Sequence, residues 1–321
     1  MMKKFIGIDV GGTKCAVVLG DSNGNILEKK KFDTRGSSGE VLSRIIQETN
    51  TIMDNNGARG SVVSAGISCG GPLDPDSGVI LSPPNLPGWD SVPVTSIVSE
   101  ALGFPVYLQN DADAGALAEW TWGAGKNLRN LVFLTFGTGI GAGIILNGSL
   151  YHGSNGTAGE VGHIRLAEDG PEGYGKRGSF EGFCSGGGIA SMANARSSEL
   201  RRAGLTPSLP SSYTARDIGE GASNGNSAAL EILSRSGKYL GRGIAILIDI
   251  LNPEMIIIGS IFIRCEKYLR PSMERAIREE ALSRSAEICR IVPAGLGESI
   301  GDYAALGVAV NGCSGRGTDT G

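Results

Sequence analysis

The feature that most constrains this chain is a short pattern that occurs twice. Near residue 5, the run Phe5-Ile6-Gly7-Ile8-Asp9-Val10 reads as a strand. Gly11-Gly12-Thr13-Lys14 turns it back into a second strand, Cys15-Ala16-Val17-Val18-Leu19, and a further turn over 21–24 leads to a third over 26–32. Near residue 131 the pattern returns. Leu131-Val132-Phe133-Leu134-Thr135-Phe136 runs into Gly137-Thr138-Gly139-Ile140-Gly141-Ala142-Gly143, a strand follows through Leu146, and Asn147-Gly148 forms a turn. Glycine at the bends between apolar alternating runs marks hairpins. A supersecondary unit that recurs within one chain implies two related lobes.

The remaining periodicities fill in an α/β architecture. A helix is predicted over 39–55, with apolar residues at Val41, Ile45, Ile46 and Ile52, followed by a buried strand over 61–67 and a Gly/Pro-rich loop over 70–88. A short strand over 106–111 runs into an alanine-rich helix over 112–120. Later come a long apolar helix over 227–250, predicted despite Gly237, Gly241 and Gly243 and stopped by Asn252-Pro253-Glu254, and a strand over 255–259. A helix over 268–282, a strand over 289–292 and a helix over 302–311 complete the order. The expected organisation is a small lobe over 1–112, on which the helix over 302–311 packs, a large lobe over 113–301, and a small polar tail over 312–321 that is disordered.

Composition narrows the function classes. The 321 residues suffice for a large core, and the formal net charge of −4 weighs against a nucleic-acid partner. No apolar run is long enough to span a membrane, and the apolar stretch after Met1-Met2-Lys3-Lys4 is interrupted by Asp9, Gly11, Gly12 and Lys14, so no secretion signal is expected. A cytoplasmic protein is expected. The six cysteines are scattered, which suits free thiols rather than a disulfide framework. Fifty-one glycines cluster at the ends of apolar runs, where tight turns or close approach to a ligand demand them.

Asp9-Val10-Gly11-Gly12-Thr13-Lys14 carries the first chemical signal. Bare glycines at a hairpin tip let backbone N–H groups reach phosphate oxygens, Thr13 and Lys14 add donors, and Asp9 at the strand end suits a hydrated Mg²⁺. The motif is not a Walker A loop. Gly137-Thr138-Gly139-Ile140-Gly141 is not a dinucleotide fingerprint either, because a strand follows it instead of a helix. Two such hairpins in related lobes suit a grip on one polyphosphate. Asn110-Asp111 lies at a strand end, where a carboxylate could orient and deprotonate a hydroxyl for phosphoryl transfer, and Asp111 is the candidate general base. Its bland reading is an N-cap for the helix from Ala112. Asp113 is the competing acid, otherwise a solvated first-turn residue. Glu160 and His163 flank Gly162 in a glycine-rich loop that suits a polar, sugar-binding surface. His152 receives no role.

Taken together, these segments resemble the ROK sugar kinases, from about residue 5 to 310. The matching pieces, in the family's order, are 9–14, 66–74, Ser82-Pro83-Pro84-Asn85-Leu86-Pro87-Gly88-Trp89, 110–119, 136–143, 159–163 and Leu251-Asn252-Pro253-Glu254. The resemblance implies a fold of two actin-like, ribonuclease H-like lobes with a central cleft, and a glucokinase-like activity with ATP and Mg²⁺. It implies a first phosphate hairpin of Asp9, Gly11, Gly12, Thr13 and Lys14, and a second of Gly137, Thr138 and Gly139. Asp111 would be the base. Gly71, Asn85, Asn110, Asp111, Glu160, His163 and Glu181 would hold the sugar, while Ser185-Gly186 and the Gly259 turn would lie near the nucleotide.

The sequence departs from the family after His163. Most members carry CxCGxxGCxE there, whose cysteines bind a structural zinc with the histidine. Here Glu172, Tyr174 and Ser179 occupy the cysteine positions, so no zinc site is expected. The family's proline before Gly71 is Gly70. Some members are repressors with an N-terminal helix-turn-helix, whereas this sequence starts at the first strand. A hexose kinase with glucose as first substrate, working as a homodimer, is the leading expectation. N-acetylhexosamine, fructose or allose kinases and a sugar-binding regulator are the alternatives.

Overall fold

A computed structural model describes residues 3–206 and 213–314. The chain divides into two units, one of residues 1–129, 143–158 and 298–321 and the other of 130–142 and 159–297.

The first unit opens with the expected meander: β1 (Lys4–Val10), β2 (Lys14–Asp21) and β3 (Ile26–Asp33), antiparallel in sequence. Helix α1 (Ser38–Asn55) begins at a reciprocal capping box between Ser37 and Glu40 and buries Val41, Leu42, Ile45, Ile52 and Met53. Strand β4 (Val62–Cys69) returns parallel to β1. The Gly/Pro-rich loop contains a two-residue ladder, β5 (Leu73–Asp74) with β6 (Val79–Ile80). Helix α2 (Val94–Leu102), β7 (Val106–Asn110) and α3 (Asp111–Thr121) follow. The sheet order is β3-β2-β1-β4-β7. Ile6, Ile8, Val17, Leu19, Ile45, Ile67, Val98 and Leu108 fill one of its cores.

Strand β8 (Leu131–Leu134) begins the second copy of the repeated pattern, and β9 (Ala142–Leu146) with β10 (Ser149–Leu150) form its antiparallel Asn-Gly hairpin. The second unit continues with a small hairpin, β11 (Glu172–Gly173) and β12 (Lys176–Arg177), then α4 (Phe180–Phe183), α5 (Gly186–Arg202), α6 (Ala215–Ser223) and α7 (Ser227–Leu251). Strand β13 (Met255–Ile258) lies between β8 and β14 (Arg290–Pro293), parallel to both and buried throughout. Helices α8 (Ile261–Glu280) and α9 (Ser283–Ile288) separate β13 from β14.

The glycines of α7, unfavourable in a helix interior by propensity, are required by its neighbour. A Cβ at Gly237 would stand 2.4 Å from the Leu269 carbonyl oxygen, and one at Gly241 would stand 2.3 Å from that of Met273. Helix α8 begins at Ile261 instead of the expected 268, because Ser260 already leaves the strand at positive φ and the Ile261 N–H bonds to the Phe136 carbonyl. Pro271 lies inside this helix.

The chain returns to the first unit with α10 (Ile300–Cys313), whose Leu306 and Ala309 pack with Phe5 and Val18. Its backbone lies so close to β4 that a Cβ at Gly66 would be 2.3 Å from the Ala309 nitrogen. Asn311 Nδ2 donates to Thr121 Oγ1 (3.0 Å), tying α10 to α3, so the first unit takes in residues beyond 112. Gly312 and Cys313 close α10, and residues 315–321 of the expected tail lie outside the described residues. No helix among the described residues is long and apolar enough to cross a membrane.

Candidate active site

In the first unit, the tip between β1 and β2 is a closed hairpin. The Gly11 N–H donates to the Lys14 carbonyl (3.1 Å), Thr34 Oγ1 donates to the Gly11 carbonyl (2.7 Å), and the Thr34 N–H donates to the Thr13 carbonyl (2.9 Å). Gly12, Thr13 and Lys14 remain exposed. Gly12 has no room for a side chain, since its Cβ would lie 2.5 Å from the Asn85 carbonyl oxygen, and a Cβ at Gly70 would lie 3.3 Å from Asn85 Nδ2. Asn85 is therefore brought beside the hairpin, while Gly71, joined to Pro72 by a cis peptide, is exposed.

Asp9, the last outward residue of β1 before the turn, is half-buried. Burial, followed by the negative charges of Asp302 and Asp111, pushes its pKa up to about 6, against the opposing pull of Lys29 and Lys31. Asp302, at the start of α10, also pairs with Lys29. Repulsion of this kind at Asp9 is what a hydrated divalent cation relieves, and Mg²⁺ is commonly held through one or two carboxylates plus phosphates. Asp302 carried no signal in the sequence beyond being an acid in the last helix.

The junction of β7 with α3 builds the other half of this unit's chemistry, and corrects the expected cap. Asn110, not Asp111, is the N-cap: its backbone is extended, its Oδ1 accepts from the Asp113 N–H (2.8 Å), and its Nδ2 donates to Asp113 Oδ2 (3.0 Å). Asp111 opens the helix with its side chain exposed. Asp113 is not a solvated acid. It is 1% exposed, and His152 Nδ1 stands 3.8 Å from its Oδ2. Burial raises the Asp113 pKa, opposed by His152 and Asn110. His152, given no role in the sequence, thus backs the carboxylate that holds Asn110.

In the second unit, the turn after β8 is similarly closed. The Gly137 N–H donates to the Gly139 carbonyl (3.1 Å), the Thr135 N–H to the Gly141 carbonyl (3.0 Å), and the Gly141 N–H to Thr135 Oγ1 (2.9 Å). Thr138 is exposed. Two helix starts come up to this turn. The Gly186 N–H, first in α5, donates to the Gly137 carbonyl (2.7 Å), and Ser185 caps that helix by accepting from the Gly188 N–H (2.9 Å). Gly259 donates its N–H to the Leu134 carbonyl (3.0 Å), and Ser260 Oγ lies 3.8 Å from where a Gly137 Cβ would be. Bare backbone at helix N-termini beside a glycine turn suits phosphate.

Glu181 of α4 touches the same turn, its Oε2 accepting from the Ile140 N–H (3.2 Å), and a Cβ at Gly139 would lie 2.5 Å from that oxygen. Glu160 is exposed just before a short 3₁₀ turn, Val161–His163. Gly162 packs that turn against Ile140 and Glu181, a Cβ there being 2.5 Å from the Ile140 carbonyl oxygen and 3.4 Å from Glu181 Cβ. Gly162 and Glu181 therefore meet at the glycine turn, and Glu160 and His163 lie within two residues of Gly162 in the chain. The family zinc does not fit this loop. Besides the Glu172, Tyr174 and Ser179 substitutions, the Cys184 thiol is fully buried, donates to the Ser236 carbonyl (3.4 Å), and is pushed far above its ordinary pKa by burial. No group of three or more His, Cys, Asp or Glu among the described residues is placed to hold a metal ion.

Known proteins resemble the chain over nearly its whole length. The ROK family profile matches residues 5–310. The chain is 31% identical over 304 residues to the glucokinase of Halalkalibacterium halodurans, covering 92% of each. A ROK family glucokinase from Streptomyces griseus, solved with glucose and AMPPNP, superposes with a TM-score of 0.74 at 28% identity, covering 95% of this chain and 99% of that one. A ROK family transcriptional regulator, a homologue of the E. coli MLC protein, superposes with a TM-score of 0.83 at 28% identity, covering 96% of this chain and 78% of that one. With the actin-like α/β fold of these neighbours and the family's sequence pattern running nearly end to end, the chain belongs to the ROK family.

Proposed function

We propose that this chain is a cytoplasmic ATP-dependent sugar kinase that phosphorylates a hexose hydroxyl, the 6-OH, with glucose as the first substrate. The observation that carries the reading is the β7–α3 junction. An exposed carboxylate, Asp111, follows an asparagine locked in place from both ends of its amide. A phosphoryl-transfer base needs this combination of access to solvent and fixed backbone. Glucokinase relatives supply the substrate class.

In this reading Asp111 accepts the proton of the attacking hydroxyl, and Asn110 orients the sugar beside it. Asn85 and Gly71 of the first unit are assigned to further sugar hydroxyls and, within the second unit taken by itself, so are Glu160, His163 and Glu181, since each vicinal hydroxyl needs its own partner. The Gly11–Gly12 and Gly137–Gly139 turns offer backbone N–H groups to phosphate oxygens, helped by Thr13, Lys14 and Thr138, with Gly259 on the nucleotide side. Asp9 would hold hydrated Mg²⁺, which when bound neutralises phosphate charge. A homodimer is the assembly favoured, with Ile250, Leu282 and Ile288 as exposed apolar residues of the second unit available to it.

The likeness to a transcriptional regulator supports one alternative, a sugar-binding regulator without turnover. ADP release with ATP and Mg²⁺ across glucose, N-acetylglucosamine, N-acetylmannosamine, fructose and allose separates the readings. Sugar-dependent ADP release, highest with glucose, is expected. Calorimetric sugar binding with no ADP release supports the regulator and rejects the kinase.

A further inference from the structure

Tyr174 sits where a tyrosine is least at home. It and Gly175 are the two loop residues between β11 and β12, and both have positive φ, 51° and 73°. Two consecutive left-handed residues between paired strands make a type I′ turn, whose first position favours asparagine or glycine. A bulky residue there is strained, and strain of this kind points to function when the side chain has a specific contact.

It has one. Tyr174 is 63% exposed, yet its ring meets the His163 imidazole edge-on, with centroids 4.8 Å apart and planes at 67°. From the other side of the same turn, Lys176 Nζ donates to the His163 carbonyl (2.7 Å). The base of the hairpin is tied down by Ser179, which donates to the Gly173 carbonyl (3.2 Å) and caps α4 by accepting from the Gly182 N–H (3.0 Å). Tyr174 and Ser179 stand at two positions where most relatives carry zinc-binding cysteines, and Cys184 is committed elsewhere.

We infer that Tyr174 and Lys176 are positioning residues that hold His163, ring and backbone respectively, against the sugar, so that the loop orders its histidine through an aromatic contact and a charged hydrogen bond without zinc. Tyr174 sets the ring plane, and Lys176 fixes where the imidazole starts. The inference rests on the sugar-kinase reading, because it assigns His163 to the sugar.

The test uses Tyr174→Asn, Tyr174→Phe and Lys176→Met in the full chain, with thermal denaturation, steady-state kinetics, calorimetric glucose titration and zinc content by mass spectrometry. Asparagine suits the turn better than tyrosine, so Tyr174→Asn should keep or raise the melting temperature. It should raise the sugar KM and Kd about tenfold, about 1.4 kcal/mol of binding, with kcat within about twofold. Tyr174→Phe keeps the ring and should behave as wild type. Lys176→Met should also raise the sugar KM. Wild-type protein should carry no stoichiometric zinc and should bind glucose equally before and after chelation. Tyr174→Asn with unchanged KM and Kd, or stoichiometric zinc whose removal abolishes glucose binding, overturns the inference while leaving the kinase reading intact. A wild type that binds no sugar overturns the kinase reading and this inference with it.

Discussion

Replacing Asp9 by asparagine should make the ligand-free protein more stable while disabling it. In the folded chain the Asp9 pKa stands at about 6 against an ordinary 3.8, because burial and the carboxylates of Asp302 and Asp111 disfavour its charge. Folded protein therefore holds this proton more tightly than unfolded protein does. Below about pH 4 both states are protonated and the group contributes nothing. Between about pH 4 and pH 6 the unfolded chain ionises while the native carboxyl holds its proton, so native stability falls, and above the folded value the loss is complete. A shift of roughly two units corresponds to about 3 kcal/mol at neutral pH, and solvent screening at a half-buried site brings the expected range to about 1–3 kcal/mol. Urea denaturation of wild type and Asp9→Asn without nucleotide measures this directly. At about pH 7.5 the variant midpoint should be higher, at about pH 5 the gap should shrink to roughly half, and sugar-dependent ADP release should fall at least about hundredfold. A variant less stable than wild type at neutral pH, or a gap that ignores pH, refutes the electrostatic reading of the Asp9, Asp111 and Asp302 cluster.

Gly241→Ala should destabilise by about 1–3 kcal/mol in chemical denaturation, despite alanine's better helix propensity, because the added Cβ would lie 2.3 Å from the Met273 carbonyl oxygen. Gly39→Ala in α1 meets nothing within 4 Å and should stabilise by about 0.5–1 kcal/mol in the same assay. Asp113→Asn and His152→Gln should be coupled by about 0.5–3 kcal/mol in a double-mutant denaturation cycle, given the 3.8 Å separation of a buried carboxylate from a partly buried imidazole, and additive effects contradict that pairing.

Local chemistry was legible in the sequence wherever it depended on neighbours in the chain. The meander through β3 and the two glycine turns follow from apolar runs and turn residues alone, and strand β13 follows from its unbroken apolar run. The Asn110-Asp111 step was placed correctly at a strand end, but the cap was assigned to the wrong member. Both residue types cap well, and only the extended backbone at Asn110 decides between them. The burial of Asp113 was invisible, because its partner His152 comes from a remote segment. Helix α5 was hidden by its opening Gly186-Gly187-Gly188, which lowers propensity where the Ser185 cap restores the start. Helix α6 did carry a readable signal, the Thr214 and Asp217 capping box. The glycines of α7 look like breakers until the carbonyls of α8 are seen beside them. The contact of Tyr174 with His163 depends on a turn geometry that tyrosine disfavours, so no local preference announces it.

The central claim is that Asp111 is the base of a sugar kinase, and Asp111→Ala tests it most directly. Asp111 is exposed, the cap that shapes the helix start is made by Asn110 with Asp113, and removing the Asp111 charge relieves Asp9, so the variant should fold with a melting temperature no lower than that of wild type. Measured side by side, its sugar-dependent ADP release should fall by at least about a thousandfold, with ATP affinity retained within a few-fold. Near-normal turnover in a folded Asp111→Ala protein contradicts the account.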